Sequence, residues 1–140
     1  MEALIGRLTE AYEEPLYVVF RVLVGLLFIQ HGAQKLLGLF GGADGSGETV
    51  PLLSMYGIAG VIELAGGLLI VVGLLTRLVA IIAAGEMVVA QLIAHLPNGV
   101  IPIQNGGELG LLYIAAFCVL SIYGAGQYSI AHLLFDRELV

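Results

Sequence analysis

Four apolar stretches alternate with short polar ones along the chain. The first runs from Leu16 to about Leu39, the second from about Gly57 to Leu75, the third from about Leu78 to Leu96, and the fourth from Leu109 to Tyr123. A helix needs about 20 predominantly apolar residues to cross a hydrocarbon core of about 30 Å, and the first three stretches meet that length. The fourth, at about 15 residues and roughly 22 Å, meets it only by drawing in Glu108 at its start and Ala125 or Gly126 at its end. The pattern therefore predicts spans at about 16–39, 57–75, 78–96 and 108–126 within a single membrane domain over 1–140, with polar loops at 41–56 and 97–107. Pro15 is placed to open the first span, where its missing amide hydrogen costs nothing. Pro51 to Tyr56 read as a short element dipping back before the second span, and Thr76-Arg77 as a tight turn. Outside the spans, Leu4, Ile5, Leu8 and Tyr12 recur at helical spacing, as do Ile130, Leu133 and Leu134. Amphipathic surface helices are expected at both ends, with a solvated tail as the alternative at the first. The fold class is all-α, an integral membrane four-helix bundle.

Composition agrees. Apolar residues make up 59% of the chain, charged residues 11%, and mean hydropathy is +1.02, where soluble domains carry about 25% charged residues. The net charge of -6 and the absence of a basic run exclude nucleic acid as a partner. The single cysteine, Cys118, allows neither an internal disulfide nor a Cys-x-x-Cys pair and reads as a small buried hydrophobe. The leader sets Arg7 against Glu2, Glu10, Glu13 and Glu14 with no small-x-small site after the first apolar run, so that segment is expected to remain as a signal anchor. Four spans put both ends and the Thr76-Arg77 turn on one side with Arg7, Arg77 and Arg137, while the loops at 41–56 and 97–107 contain no lysine or arginine. The positive-inside rule then places both termini in the cytoplasm.

This topology gathers the polar residues of the spans. Gln30-His31-Gly32-Ala33-Gln34-Lys35 closes the first apolar run, and His31 and Lys35, four apart, share a helix face. Glu63 enters the same level from the second span, Gln91 and His95 from the third, and Asn105 and Glu108 from the fourth. The candidate ligand-binding set is thus His31, Gln34, Lys35, Glu63, Gln91, His95, Asn105 and Glu108, with Lys35 expected to pair with Glu63 or Glu108. Ionisable groups inside a membrane usually face a protein interior or a wet cavity. A cavity for a polar or redox-active molecule is one reading, and a polar plug that fixes helix register is the other. Metal and haem rank lower: His and Glu ligands are present, but no Glu-x-x-His pattern of di-iron bundles is. Arg21 and Glu86 are expected to form a structural ion pair in the opposite half, the alternative being an Arg21 that reaches the interface to meet Glu13, Glu14 or Asp136. Helical phase turns Glu86 away from Gln91 and His95.

Several segments in order resemble the DoxX family of small four-helix membrane proteins: Arg21 to Lys35 with its His31-Gly32; Glu63 followed by Gly66-Gly67; Gly73-Leu74-Leu75-Thr76-Arg77; Asn105-Gly106-Gly107-Glu108; and Gly124-Ala125-Gly126-Gln127-Tyr128-Ser129. The last departs from the family pattern, with Ala125 in the place of a proline and Ala131 in the place of an aspartate. The resemblance implies a multi-pass protein of the bacterial inner membrane and a quinone-linked or sulfur/thiol-redox subunit, catalytic or accessory, with quinone as the expected small molecule. His31, Lys35, Glu63, Asn105 and Glu108 carry over on the matching motifs. Expected partners are the lipid bilayer, further copies of the chain or a membrane redox complex, and a soluble redox enzyme. A small-molecule transporter and a structural membrane anchor are the competing functions.

Overall fold

The computed structural model describes the backbone of residues 2–135, and the side chains of residue 6 and residues 9–135. The side chains of Arg7, Glu2, Leu4, Ile5 and Leu8, and all of Asp136, Arg137 and Glu138, lie outside the described residues. The described chain is helical with no strand. Helix α1 spans Glu2–Leu37, α2 Met55–Val72, α3 Thr76–Ala90, α4 Pro102–Asn105, α5 Glu108–Tyr123 and α6 Ile130–Phe135. A π-helical turn, Gln91–His95, and a 3₁₀ turn, Leu96–Asn98, extend α3. Three helices are long and apolar enough to cross a membrane, and α5 is a shorter apolar helix.

Several expected boundaries differ. Pro15 does not open a helix: α1 runs through it without a break, because one lost bond is outweighed by the two good helical segments on either side. The surface helix expected before Pro15 is the first part of α1. No dipping element forms at 51–56. Pro51 begins a turn instead, and the Ser54 hydroxyl accepts from the Gly57 amide at 3.0 Å to cap α2. Thr76 and Arg77 belong to α3, and the turn falls earlier, at Gly73. There φ is +71°, the Gly73 amide donates to Ile70 O and the Leu74 amide to Leu69 O. That bond pair is the Schellman termination that glycine favours.

The helices pack as two pairs, α1 with α2 and α3 with α5, with thinner contact between α2 and α3. In lipid, burying apolar area gives helices no reason to associate, so close backbone approach must supply the attraction. The α1–α2 pair achieves it with glycine facing glycine. A Cβ on Gly25 would lie 2.9 Å from Gly67 O, and one on Gly67 2.8 Å from Gly25 O. Seven residues on, a Cβ on Gly32 would lie 2.8 Å from Gly60 O and would overlap the Leu64 amide. The core between the pairs is Val24 and Phe28 of α1, Ile70 of α2, Val79, Ala80, Ala83 and Met87 of α3, and Tyr113, Phe117 and Leu120 of α5. Much of the remaining apolar side-chain surface points outward, as a lipid surrounding requires. Cys118 is among the outward-facing residues, not buried as its apolar run suggested.

The end of the molecule that holds the α2–α3 turn is tied by donors to helix-terminal carbonyls. Arg21, 2% exposed, donates to Ala125 O, to Tyr128 O at 2.9 Å and to Val71 O at 3.3 Å. Tyr17 donates to Gly124 O at 2.6 Å, and Arg77 to Ser121 O at 3.2 Å and to Ile122 O. The last turn of a helix leaves such carbonyls without intrahelical partners and carries partial negative charge, which these cations answer. The expected Arg21–Glu86 ion pair does not form, because the two Arg21 Nη groups are held by backbone oxygens at this end. Ala131 is 1% exposed, and its amide donates to Gly73 O at 3.3 Å; a small apolar residue suits that packed position.

Gly32→Ala is expected to lower thermal stability in detergent by about 1–3 kcal/mol, the usual cost of forcing atoms into a packed contact. Gly85→Ala, whose Cβ meets nothing within 4 Å, should hold or raise it. Equal melting temperatures for the two variants would remove the close glycine crossing as the source of α1–α2 association.

Candidate functional site

A cavity of about 540 Å³ lies between the two helix pairs, toward the end opposite the Gly73 turn. Helix α1 contributes His31 and Lys35, and α2 contributes Tyr56, Ile58, Ile62 and Glu63. Helix α3 brings Ile82, Gly85, Glu86 and Val89, the π turn Gln91, Ile93 and His95, and α5 Gly110 and Tyr113. Most of the wall is apolar. Ile58, Ile82, Val89 and Ile93 are also about half exposed at the outer surface of their helices, so one side of the cavity is rimmed by lipid-facing side chains.

The polar end is built on an ion pair. Lys35 Nζ donates to both Glu63 carboxylate oxygens, at 2.7 and 2.6 Å. Glu63 is only 2% exposed, so the pair satisfies a carboxylate that would otherwise be stranded. The arrangement depends on Gly60: a Cβ there would sit 3.1 Å from Lys35 Cβ, so the missing side chain lets the lysine stem pass across α2 to reach Glu63. Of the two expected counter-charges, Glu63 takes the role. Glu108 is exposed, does not line the cavity and sits in the first turn of α5, where an acidic side chain meets the positive end of the helix dipole.

An aromatic cluster forms another wall. Tyr113 stacks on Phe117 at 5.6 Å, and Phe28 meets both, at 5.5 Å from Tyr113 and 4.8 Å from Phe117. The His31 ring stands edge-on to Tyr113 at 5.7 Å. Gln91 donates to Gly107 O and packs where a Cβ on Gly107 or Gly110 would be. His95 Nδ1 lies 3.1 Å from Asn105 O, which can only accept, so that nitrogen carries the proton. The Asn105 side chain is used up on the loop: it accepts from the Gly107 amide at 2.8 Å and donates to Gly99 O at 2.6 Å. Gln34 is half-buried and lies outside the cavity lining.

Of the eight expected residues, the cavity thus gathers His31, Lys35, Glu63, Gln91 and His95, and leaves Gln34, Asn105 and Glu108 off its wall. Among the described residues no three His, Cys, Asp or Glu side chains converge in a way that could hold a metal ion.

Residues 16–96 match the DoxX family. The chain belongs to the DoxX family. A Haemophilus influenzae relative, named "Uncharacterized protein", is 35% identical over 91% of this chain and 97% of its own length. "Putative oxidoreductase CatD" of Bacillus subtilis is 30% identical over 86% of this chain and 88% of its own length. "Inner membrane protein YqjF" of Escherichia coli is 31% identical over 84% of this chain and 90% of its own. No solved structure matches the chain.

In this DoxX protein Glu86 and Tyr113 also belong to the cavity, against the sequence pattern: helical phase sets Glu86 aside, and Tyr113 reads as part of an apolar span. Both line the cavity, and the Glu86 Oε2 and Tyr113 hydroxyl are buried without a hydrogen-bond partner. The signal for Glu86 was its charge in an apolar helix; no comparable signal marked Tyr113.

Lys35→Met should destabilise the DoxX fold by about 3 kcal/mol, because it leaves Glu63 buried and unpaired. The double variant Lys35→Met/Glu63→Leu should recover most of that loss in a thermal or denaturant series. Additive losses in the double-mutant cycle would show that the two side chains are not coupled.

Proposed function

We propose that this DoxX protein is a quinone-linked subunit of a membrane oxidoreductase, set in the bacterial inner membrane with both termini in the cytoplasm. The observation that carries this reading is the cavity itself. It is a mostly apolar chamber within the membrane-spanning helices, rimmed on one side by lipid-facing residues and closed by a polar, charge-paired end. Its volume lies within the roughly 300–1,000 Å³ of small-molecule sites. A molecule with an apolar body and a polar redox head fits that division. When bound, a quinone supplies two-electron, two-proton chemistry. The chain supplies hydrogen-bonding groups from His31, Gln91 and Tyr113, fixed charges from Lys35 and Glu63, and apolar walls that keep water away. Cys118, alone and outward-facing, offers no redox pair, so electrons are assigned to a partner: a neighbouring membrane subunit or a soluble redox enzyme. The name of the Bacillus subtilis relative is consistent with an oxidoreductase setting.

The orientation rests on charge. Arg21 and Arg77 are held at the end with the α2–α3 turn, and the loops at the other end contain no basic residue.

Decylubiquinone titrated into the protein in lipid nanodiscs should bind, and His31→Ala and Glu63→Gln should each weaken it about tenfold; unchanged affinity in both correctly folded variants would sink the quinone assignment. For orientation, a green fluorescent protein fused after Val140 should fluoresce and alkaline phosphatase fused there should be inactive. The reverse pattern would turn the protein over in the membrane.

A further inference from the structure

Two residues that line the cavity, Glu86 and Tyr113, each carry a polar atom with nothing to pair with, and they restrict what the cavity can accept. The Glu86 Oε2 and the Tyr113 hydroxyl are both buried and without a hydrogen-bond partner. Tyr113 is only 5% exposed. Leaving such groups unpaired costs stability. Two other buried atoms among the described residues are unpartnered, Arg21 Nε and Thr76 Oγ1, but neither residue lines the cavity, whereas the cavity residues Glu63 and Gln91 are paired, with Lys35 and with Gly107 O. Lys35 directs its ammonium group to both Glu63 oxygens, and Glu86 Oε2 receives no hydrogen bond from it.

We infer that Glu86 and Tyr113 form a clamp for a hydroxyl-bearing head group, so the cavity binds the reduced, hydroquinone form of its ligand more tightly than the quinone. This rests on the proposed function and adds the redox state and the contacts. The carboxylate oxygen of Glu86 accepts a hydrogen bond, and a hydroxyl answers it; a quinone carbonyl, which only accepts, does not. The Tyr113 hydroxyl donates to the same or the second head-group oxygen. The apolar body lies along Ile58, Ile82 and Val89, whose exposed surfaces lead out to the bilayer. The ligand therefore arrives from the membrane as an uncharged amphiphile.

The test compares decylubiquinol and decylubiquinone binding to the full chain in nanodiscs. The wild type should favour the quinol by roughly tenfold, about one hydrogen bond to a charged group. Glu86→Leu should erase that preference by weakening the quinol alone. Tyr113→Phe should weaken both forms several-fold, and Glu108→Gln, outside the cavity, should change neither. Both cavity variants should keep or raise the melting temperature, because each removes an unpaired buried oxygen. A clear fall in melting temperature for both would assign the residues to packing and overturn the clamp, as would an unchanged quinol preference in a folded Glu86→Leu protein or the absence of a preference in the wild type. If the wild type binds neither ubiquinone form, the quinone reading fails, and 4-nonylphenol becomes the probe. Saturable binding lost in Glu86→Leu would retain the hydroxyl clamp, and binding that is absent or insensitive to the variant would overturn it.

Discussion

Helix α1 is held against α2 by the absence of side chains. In water, apolar stripes would drive the two together; in a bilayer, lipid tails solvate those stripes equally well. What remains is close contact and polar pairing. Gly25 with Gly67 and Gly32 with Gly60 bring the backbones near enough for dispersion to act along two helical turns of spacing. The same approach places Lys35 over Gly60 and within reach of Glu63. A bulkier residue at position 60 would therefore strike twice, spreading the helices and moving the cation away from the only carboxylate it pairs with among the described residues.

The two ends of the bundle use polar groups differently. At the end with the Gly73 turn, Arg21, Tyr17 and Arg77 spend their donors on the terminal carbonyls of α2 and α5 and of the Gly124–Tyr128 segment. These bonds tie the helix ends together, and the end acts as a clamp. At the other end the backbone largely satisfies itself. The Val50 amide donates to Lys35 O at 2.9 Å, Ser54 caps α2, and Asn105 closes the loop before α5. His31, Lys35 and Glu63 there take no part in capping and turn to the cavity. The position of the site thus follows from how each set of helix ends is finished.

The apolar helices are legible in the sequence because composition alone decides them: stretches this rich in Leu, Ile, Val, Gly and Ala have few other stable forms. His31, Lys35, Glu63, Gln91 and His95 stand out because a charge, an imidazole or an amide in such a stretch needs a reason. Other features are hidden for local physical reasons. Arg21 suggests a carboxylate partner because carbonyls from α2 and the α5–α6 segment, distant in sequence, cannot be seen converging in a one-dimensional pattern. Glu108 looked membrane-embedded because α5 is short, yet a short helix can also leave its first turn exposed. Regular helical phase counted from Gln91 and His95 turns Glu86 away. The cavity instead takes its lining from almost every position between Gly85 and His95, and the π turn at 91–95 shifts the phase of His95 relative to α3, so Glu86 shares one cavity with both.

That irregular turn bears on why the cavity exists. A regular α-helix through 91–95 would keep the loop-side part of α3 in the register that packs Ala80, Ala83 and Met87 into the core. The π turn breaks that register beside the cavity, and Gln91, its first residue, packs at the start of α5, where Gly107 and Gly110 leave room for it. The π turn, two unpaired buried oxygens and a lipid-facing rim all fall on the same chamber. The rim is what a lipid surrounding requires, whereas the unpaired oxygens cost stability, and that cost is the one the proposed ligand would remove.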